Sequence, residues 1–335
     1  MATSPIIEAD EKTVGRAWNV AYFAGVDIGG TKIAVGIGNT EGAILCEMRF
    51  PTDEVPRGED GLDRIAEAVK SLCTQNGGSG PQIRLADVAA VGIGSPGPLD
   101  RGTLLKTANL PGWEGINLAS GLQTRLGIPC RVENDATAAG MGEWMFGAGR
   151  GTSHMAYVTV STGVGSGIIV NSQLYSGGRG NAGELGHIVL IPDGPVCHCG
   201  QRGCLETLAS GTALARIAHE RRNESPYLQR QDGIDAPTVF LGVEAGDAVC
   251  QAIIQDMTRY LGQGLSFLVN LLNPERIVLG GGVMANGDML LPLIQQRTQE
   301  YSMPALYRTT EIVLAGLGQD SGLVGALAVA LVART

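Results

Sequence analysis

Residues 21–27 form an apolar run that closes on Gly29-Gly30, and 33–37 and 43–50 continue as strands around a turn at Asn39-Thr40-Glu41-Gly42. This pattern predicts a three-stranded meander whose first turn is unusually rich in glycine. Leu62, Ile65, Ala66, Val69 and Leu72 recur at helical spacing, as the buried face of a helix does. A break at 77–81 ends that helix. Beyond it, 88–93 reads as a buried strand, 118–126 as a helix, and 129–133 as a short strand leading into a helix over 136–146. The pattern then partly repeats: 155–160 and 166–170 are strands joined by a turn at Ser161-Thr162-Gly163-Val164-Gly165. Val26-Asp27-Ile28-Gly29-Gly30 and Val160-Ser161-Thr162-Gly163-Val164 look like one device used twice. Further on, the spacing predicts a helix over 206–222, a polar irregular stretch over 223–237, and a long helix over 247–272. A strand at 276–279 runs into Gly280-Gly281-Gly282, a strand at 312–314 follows, and a helix closes the chain. Two strand-rich halves, each with its own glycine turn, predict a two-domain α/β protein with a cleft between the halves.

Composition changes the picture in three respects. A length of 335 residues gives each half enough chain to bury a core. Fifty glycines, about twice the ordinary share, imply many tight turns and close backbone approaches to a ligand. The net charge of −9 argues against nucleic acid as a partner, since neutralising phosphate needs a basic face. Residues 1–20 lack the basic start and apolar middle of a signal peptide, and the apolar stretch 322–333 falls short of the ~20 residues of a membrane span. The cytoplasm is the expected compartment, with no membrane partner.

The glycine turns suit phosphate, which needs backbone N–H groups with no side chain in the way. Asp27-Ile28-Gly29-Gly30-Thr31-Lys32 offers two glycines, a hydroxyl and a cation between strands, with Asp27 placed to hold Mg²⁺ through water. Thr162-Gly163-Val164-Gly165 offers a second such turn, and Gly281-Gly282 a third surface after a strand. Each taken alone is equally a tight hairpin. No Walker A motif is present, and none of the turns has the strand-to-helix setting of a dinucleotide fingerprint.

Seven cysteines, an odd number in a chain expected in the cytoplasm, do not form a disulfide framework. His187, Cys197, Cys199 and Cys204 instead form H-x9-C-x-C-x4-C, a complete set of four N/S ligands for tetrahedral Zn²⁺. Four ligands leave no open position, so such a site is structural. It would fix the flanking carboxylates Glu184 and Glu206 relative to one another. Asp135, in Glu133-Asn134-Asp135, sits between a strand and a helix, where it is either an N-cap or a general base for an attacking hydroxyl. Asn134 would then hydrogen-bond the substrate beside it.

Together these residues resemble the ROK family, which comprises bacterial sugar kinases, sugar-responsive repressors and the kinase half of a bifunctional sialic-acid enzyme. The resemblance rests on Asp27 to Lys32, Gly94-Ser95-Pro96-Gly97-Pro98, Asn109-Leu110-Pro111-Gly112-Trp113, Glu133-Asn134-Asp135 and Ser161 to Gly167. Its most specific part is Glu184-Leu185-Gly186-His187, continued by Cys197-His198-Cys199-Gly200-Gln201-Arg202-Gly203-Cys204-Leu205-Glu206. The motifs span nearly the whole chain in the family's order.

The resemblance implies a two-domain α/β fold of the hexokinase/actin (ribonuclease H-like) type, with an interdomain cleft and a structural zinc loop. It further implies a tail at 1–20, a small domain of 21–133 plus 318–333, and a large domain of 134–317. Asp135 takes the place of the family's base, acting on a sugar 6-hydroxyl. Asn109, Asn134, Asp135, Glu184, His187 and Glu206 take the places of its sugar contacts, so His187 serves both zinc and sugar. The motifs are most similar to the family's glucose-phosphorylating branch, implying glucose and MgATP as substrates and a homodimer or homotetramer. Glu133, where many members have Asp, and Thr137, where that branch often has Asn, depart from the pattern. An N-acetylmannosamine kinase would use almost the same residues, and a fructokinase is a weaker match. A repressor would need a helix-turn-helix domain, for which 20 residues ahead of Ala21 are too few.

Overall fold

The computed structural model describes residues 21–74, 83–107 and 109–333, so the expectations for 1–20 and for the break at 77–81 lie outside the described residues. The expected meander is β1 (Tyr22–Ile28), β2 (Lys32–Gly38) and β3 (Ile44–Pro51), antiparallel throughout. After α1 (Gly58–Thr74), β4 (Val88–Ser95) lies parallel to β1 on its other side. A small hairpin of β5 (Leu99–Asp100) and β6 (Thr103–Leu104) precedes α2 (Leu118–Leu126), and β7 (Cys130–Asn134) completes the sheet parallel to β4. The strand order is β3-β2-β1-β4-β7.

The chain then runs through α3 (Asp135–Phe146) into a second sheet built on the same plan. Its strands are β8 (Met155–Val160), β9 (Val164–Val170), β10 (Gln173–Leu174), β11 (Arg276–Gly280) and β12 (Glu311–Leu314), in the order β10-β9-β8-β11-β12. The first three are antiparallel, and β11 and β12 run parallel to β8. The short likeness between the two glycine turns therefore reports a repeat of whole sheets. Each half has its own core. One is centred on Val26, Val35, Ile65 and Ile93, the other on Val158, Leu214, Leu261 and Leu279.

The helices of the second half are α4 (Glu206–Ala209), α5 (Gly211–Glu220), α6 (Ala236–Glu244), α7 (Ala248–Leu272), α8 (Gly287–Tyr301) and α9 (Pro304–Tyr307). Two expectations are corrected here. The helix expected over 206–222 breaks at Ser210, whose side chain caps α5 through the Ala213 N–H. The break lets the Gly211 N–H reach the Ser161 carbonyl at 2.7 Å, an approach that a continuous helix would not allow. The stretch expected to be irregular to 237 instead opens α6 at Ala236, with Asp235 and Thr238 in a capping box and Pro237 in the first turn.

The final helix, α10 (Ser321–Ala333), returns to the first sheet. It can lie that close because the sheet presents glycine. A methyl group on Gly25 would sit 2.9 Å from the Leu323 carbonyl oxygen, and one on Gly92 would collide with that of Ala326. Helices α3 and α10 also cross through small residues: a methyl on Gly142 would lie 2.9 Å from the Gly325 Cα. Among the described residues no single helix is long and apolar enough to cross a membrane.

Candidate active site

Three parallel strands end at one edge of the first sheet, the usual place for ligands in α/β folds. Register pairs Asp27 with Gly94, Gly94 with Glu133, and Ser95 with Asn134. A methyl on Gly94 would lie 3.8 Å from Asp27 Oδ1 and 3.9 Å from the Asp135 Cα, so glycine there keeps the space between the two acids open.

Asp135 is not the cap of α3. Asn134 is the N-cap of α3, its Oδ1 accepting the N–H groups of Ala136 at 3.0 Å and Thr137 at 3.4 Å. Asp135 is the first helical residue, with Oδ1 accepting the Ala136 N–H at 2.7 Å. Its side chain is open to solvent, while neighbouring protein atoms still desolvate the carboxylate. Burial pushes its pKa up to about 6; the Ala136 N–H opposes the shift, and the charges of Asp27 and Glu184 add to it. Burial also raises the pKa of Asp27, against the attraction of Lys32 and Arg49.

The first glycine turn is closed by the Gly29 N–H on the Lys32 carbonyl at 2.9 Å and braced by Thr52, whose hydroxyl donates to the Gly29 carbonyl at 2.7 Å. Asn109 stands over it, since a methyl on Gly30 would come within 3.2 Å of the Asn109 carbonyl. Thr31 and Lys32 are exposed. The second and third turns adjoin one another. Gly281 has φ of 92°, a left-handed backbone that favours glycine, and a methyl there would also strike the Val160 carbonyl. Gly165 packs against Ala136 of α3, where a methyl would lie 2.7 Å from the Ala136 Cβ.

Beside these two turns opens a cavity of about 670 Å³. Ser161, Thr162, Gly211, Thr212, Gly282 and Val283 form one end, Ala215, Ala236, Pro237, Phe240 and Leu241 form apolar walls, and Asp235, Glu244 and Asn286 supply polar groups. Its size and lining suit a small organic group beside the two glycine turns. Of the residues expected to bind nucleotide, Thr162 and Gly282 line this cavity. Asp27, Gly29, Gly30, Thr31 and Lys32 belong instead to the edge of the first sheet. Sequence reasoning missed the walls from α5 and α6. The signal available was the capping box at Asp235-Ala236-Pro237-Thr238.

The four zinc-type residues converge. Ligand atoms of His187, Cys197, Cys199 and Cys204 all lie within 4.8 Å of one another. Tetrahedral zinc, with bonds of ~2.3 Å to sulfur and ~2.0–2.1 Å to nitrogen, sets two sulfurs about 3.8 Å apart and sulfur and nitrogen about 3.6 Å apart. The Cys199–Cys204 Sγ separation is 3.7 Å, and Cys197 Sγ lies 3.5 Å from His187 Nδ1. The donor set fits zinc in both chemistry and spacing. Gly200 and Gly203, with φ of 93° and 70°, let the loop turn around it, and the Cys197 N–H closes on the Gln201 carbonyl at 2.8 Å.

The loop also reaches the two carboxylates expected to flank it. His187 presents Nε2 to Glu184 Oε2 at 3.7 Å. Glu206 Oε1 lies 3.2 Å from His198 Nδ1 and 3.9 Å from Cys197 Sγ, while its Oε2 accepts the Val164 N–H of the second turn at 3.0 Å. Zinc-type loop, acidic pair and glycine turn thus form one connected structure.

An α/β protein of two similarly ordered mixed sheets, with glycine turns and a Cys₃His cluster, is what fold and site define together. The ROK family's sequence pattern matches residues 23–333, and the chain belongs to that family. A glucokinase of Halalkalibacterium halodurans is 37% identical over 313 residues, covering 91% of this chain and 93% of that one. An N-acetylmannosamine kinase of Yersinia pestis is 36% identical over 311 residues, covering 92% and 97%. Among solved structures, a ROK family glucokinase from Streptomyces griseus in complex with glucose and AMPPNP matches with a TM-score of 0.77 and 36% identity, covering 93% of this chain and 99% of that one.

Proposed function

We propose that this chain is an ATP-dependent sugar kinase that phosphorylates the 6-hydroxyl of glucose. The observation that carries this reading is the solvent-open Asp135 carboxylate within the fields of Asp27 and Glu184, its helix being capped by Asn134 instead. Asp135 accepts the proton of the 6-hydroxyl as that oxygen bonds to the γ-phosphorus and the bond to the ADP oxygen breaks. Asn109, the Asn134 amide, Asp135, Glu184, His187 and Glu206 hold the sugar. Gly29, Gly30, Thr31 and Lys32 face the phosphates from the first sheet. Thr162, Gly163, Gly165, Gly281 and Gly282 face them from the second, and the adjoining cavity takes the nucleoside. Mg²⁺, which Asp27 would hold through water, neutralises phosphate charge when bound. Zinc held by His187, Cys197, Cys199 and Cys204 would be structural, fixing Glu206 and His187 for the sugar.

The same reading divides the chain into a small domain of 21–133 plus 318–333 and a large domain of 134–317, closing on the substrates and excluding water. The N-acetylmannosamine kinase relative supports a second reading, with a different sugar in the same site. Purified protein with MgATP, offered glucose, N-acetylmannosamine, fructose and mannose while ADP release is followed, separates the two. Glucose is expected to turn over fastest; turnover of N-acetylmannosamine without glucose would overturn the first choice.

A further inference from the structure

Glu143 is the most completely buried acid of the described residues and takes no part in the chemistry above. It lies near the C-terminal end of α3, on the helix that begins with Asp135. Its Oε2 accepts the N–H of Ala148 at 2.8 Å and of Gly316 at 3.0 Å, and its Oε1 accepts that of Leu317 at 2.9 Å. These donors come from two separate places. Ala148 belongs to the segment 147–154, by which the chain leaves α3 for the second sheet. Gly316 and Leu317 belong to the segment 315–320, by which it returns from β12 to α10 and the first sheet. The described chain passes from the first sheet to the second through α3 and 147–154, and back through 315–320, and one carboxylate ties the two segments together.

The surroundings are built for close fit. A methyl on Gly147 would strike the Glu143 carboxylate, and the Glu143 carbonyl accepts the N–H groups of Gly147 at 3.0 Å and Gly149 at 2.9 Å. One residue earlier, Gly142 meets Gly325 where α3 crosses α10. The acids of the site stand at the N-terminal ends of these two helices. Asp135 opens α3, and the Asp27 carboxylate lies against Gly322 in the first turn of α10.

We infer that Glu143 is the pivot of the closing motion: a positioning residue that clasps the segment leaving α3 to the segment entering α10, and so fixes α3, and with it Asp135, relative to α10 and Asp27. A carboxylate suits the task because it is acceptor-only and meets three N–H donors. Glutamine would turn an N–H₂ toward one of them, leaving buried donors face to face. This inference rests on the sugar-kinase reading for the closing motion and for its probes, glucose and AMPPNP.

Two measurements test it. In the wild-type chain, amide hydrogen exchange at Ala148, Gly316 and Leu317 is followed with and without glucose plus AMPPNP. A pivot keeps all three amides protected in both states. Faster exchange there on adding ligands would mean the clasp opens, and the inference falls. In Glu143→Gln, kcat is expected to drop about tenfold to a hundredfold with the glucose KM within about threefold, as misplacement of a reacting group does. The ligand-induced contraction seen by small-angle scattering should shrink as well. A variant with a lowered melting temperature but wild-type kcat and contraction well below it would make Glu143 merely structural. If the variant does not fold, the wild-type exchange result decides alone. Failure of the sugar-kinase reading shows separately, as a wild-type chain that turns over no hexose.

Discussion

Glu206 Oε2 accepts the backbone N–H of Val164 at 3.0 Å, and this bond joins the Cys₃His loop to the second glycine turn. The other oxygen of the same carboxylate faces His198 and Cys197. Gly163 is closed over the side chain so tightly that a methyl there would strike Oε2. One residue therefore registers the Cys₃His loop against the second glycine turn.

Replacing that carboxylate should be felt on both sides. Glu206→Ala is expected to raise the glucose KM by about tenfold to a hundredfold, the loss of a charged hydrogen bond at ~1.5–3 kcal/mol. It should also raise the ATP KM, by less. Initial rates over both substrate concentrations check this; an unchanged glucose KM would remove Glu206 from the sugar site.

Asp135→Asn should lower kcat by about a hundredfold to ten-thousandfold, the usual span for a general base, with glucose affinity by calorimetry within a few-fold. Its effect on stability should carry the opposite sign. Burial raises the Asp135 pKa in the folded state to about 6, so the fold binds that proton more tightly than the unfolded chain does. Ionisation then costs stability as pH rises from about 4 through 6. The melting temperature of the variant should exceed that of wild type at pH 7.5, with the difference fading below pH 4.

The same shift predicts the acid limb of the rate profile. A base works ionised, so kcat/KM, which reports the free enzyme, should fall as pH drops through about 6. A kcat limb nearer pH 4 would mean that bound substrates restore an ordinary carboxylate.

Zinc removal should act on sugar before nucleotide. A strong chelator is expected to lower the melting temperature and raise the glucose KM while the ATP KM changes less, because His187 and Glu206 touch the metal loop whereas the cavity walls come from α5 and α6. Elemental analysis of the untreated protein should find about one zinc per chain.

Neighbouring glycines in the third turn should separate fold from ligand. Gly281→Ala meets both a left-handed backbone and the Val160 carbonyl, so it should destabilise the protein. A methyl on Gly282 meets only Ser161 Oγ at 3.9 Å, so Gly282→Ala should keep the wild-type melting temperature. A raised ATP KM in that variant reports nucleotide passing over the turn; an unchanged one places the nucleotide elsewhere.

The repeat of sheets was legible because strand spacing and a glycine turn are local features, as was the metal cluster, whose four residues fall within 18 positions of sequence. The cavity was not. Its walls are α5 and α6, and α5 appears only once Ser210 splits the expected helix so that Gly211 can reach Ser161. That contact lies 50 residues apart in sequence and leaves no periodic trace. Helix α8 escaped for another reason: Pro292 stands inside it, among leucines whose pattern it interrupts. Asn134 and Asp135 show the limit at a single position, since pattern places a cap at this strand end but not on which of the two residues.

The glycine-faced side of the first sheet bears on how the protein is made. Gly25, Gly36, Gly38 and Gly92 leave a groove that α10 fills, with Leu323 and Leu327 seated in it. Residues 321–333 leave the ribosome some 190 residues after β7 completes that sheet. During synthesis the first half waits with one face bare while the second half, whose strands and helices are contiguous in sequence, can already fold. The half translated first is the half finished last, and a nascent chain stalled before residue 321 would be the form most in need of a chaperone.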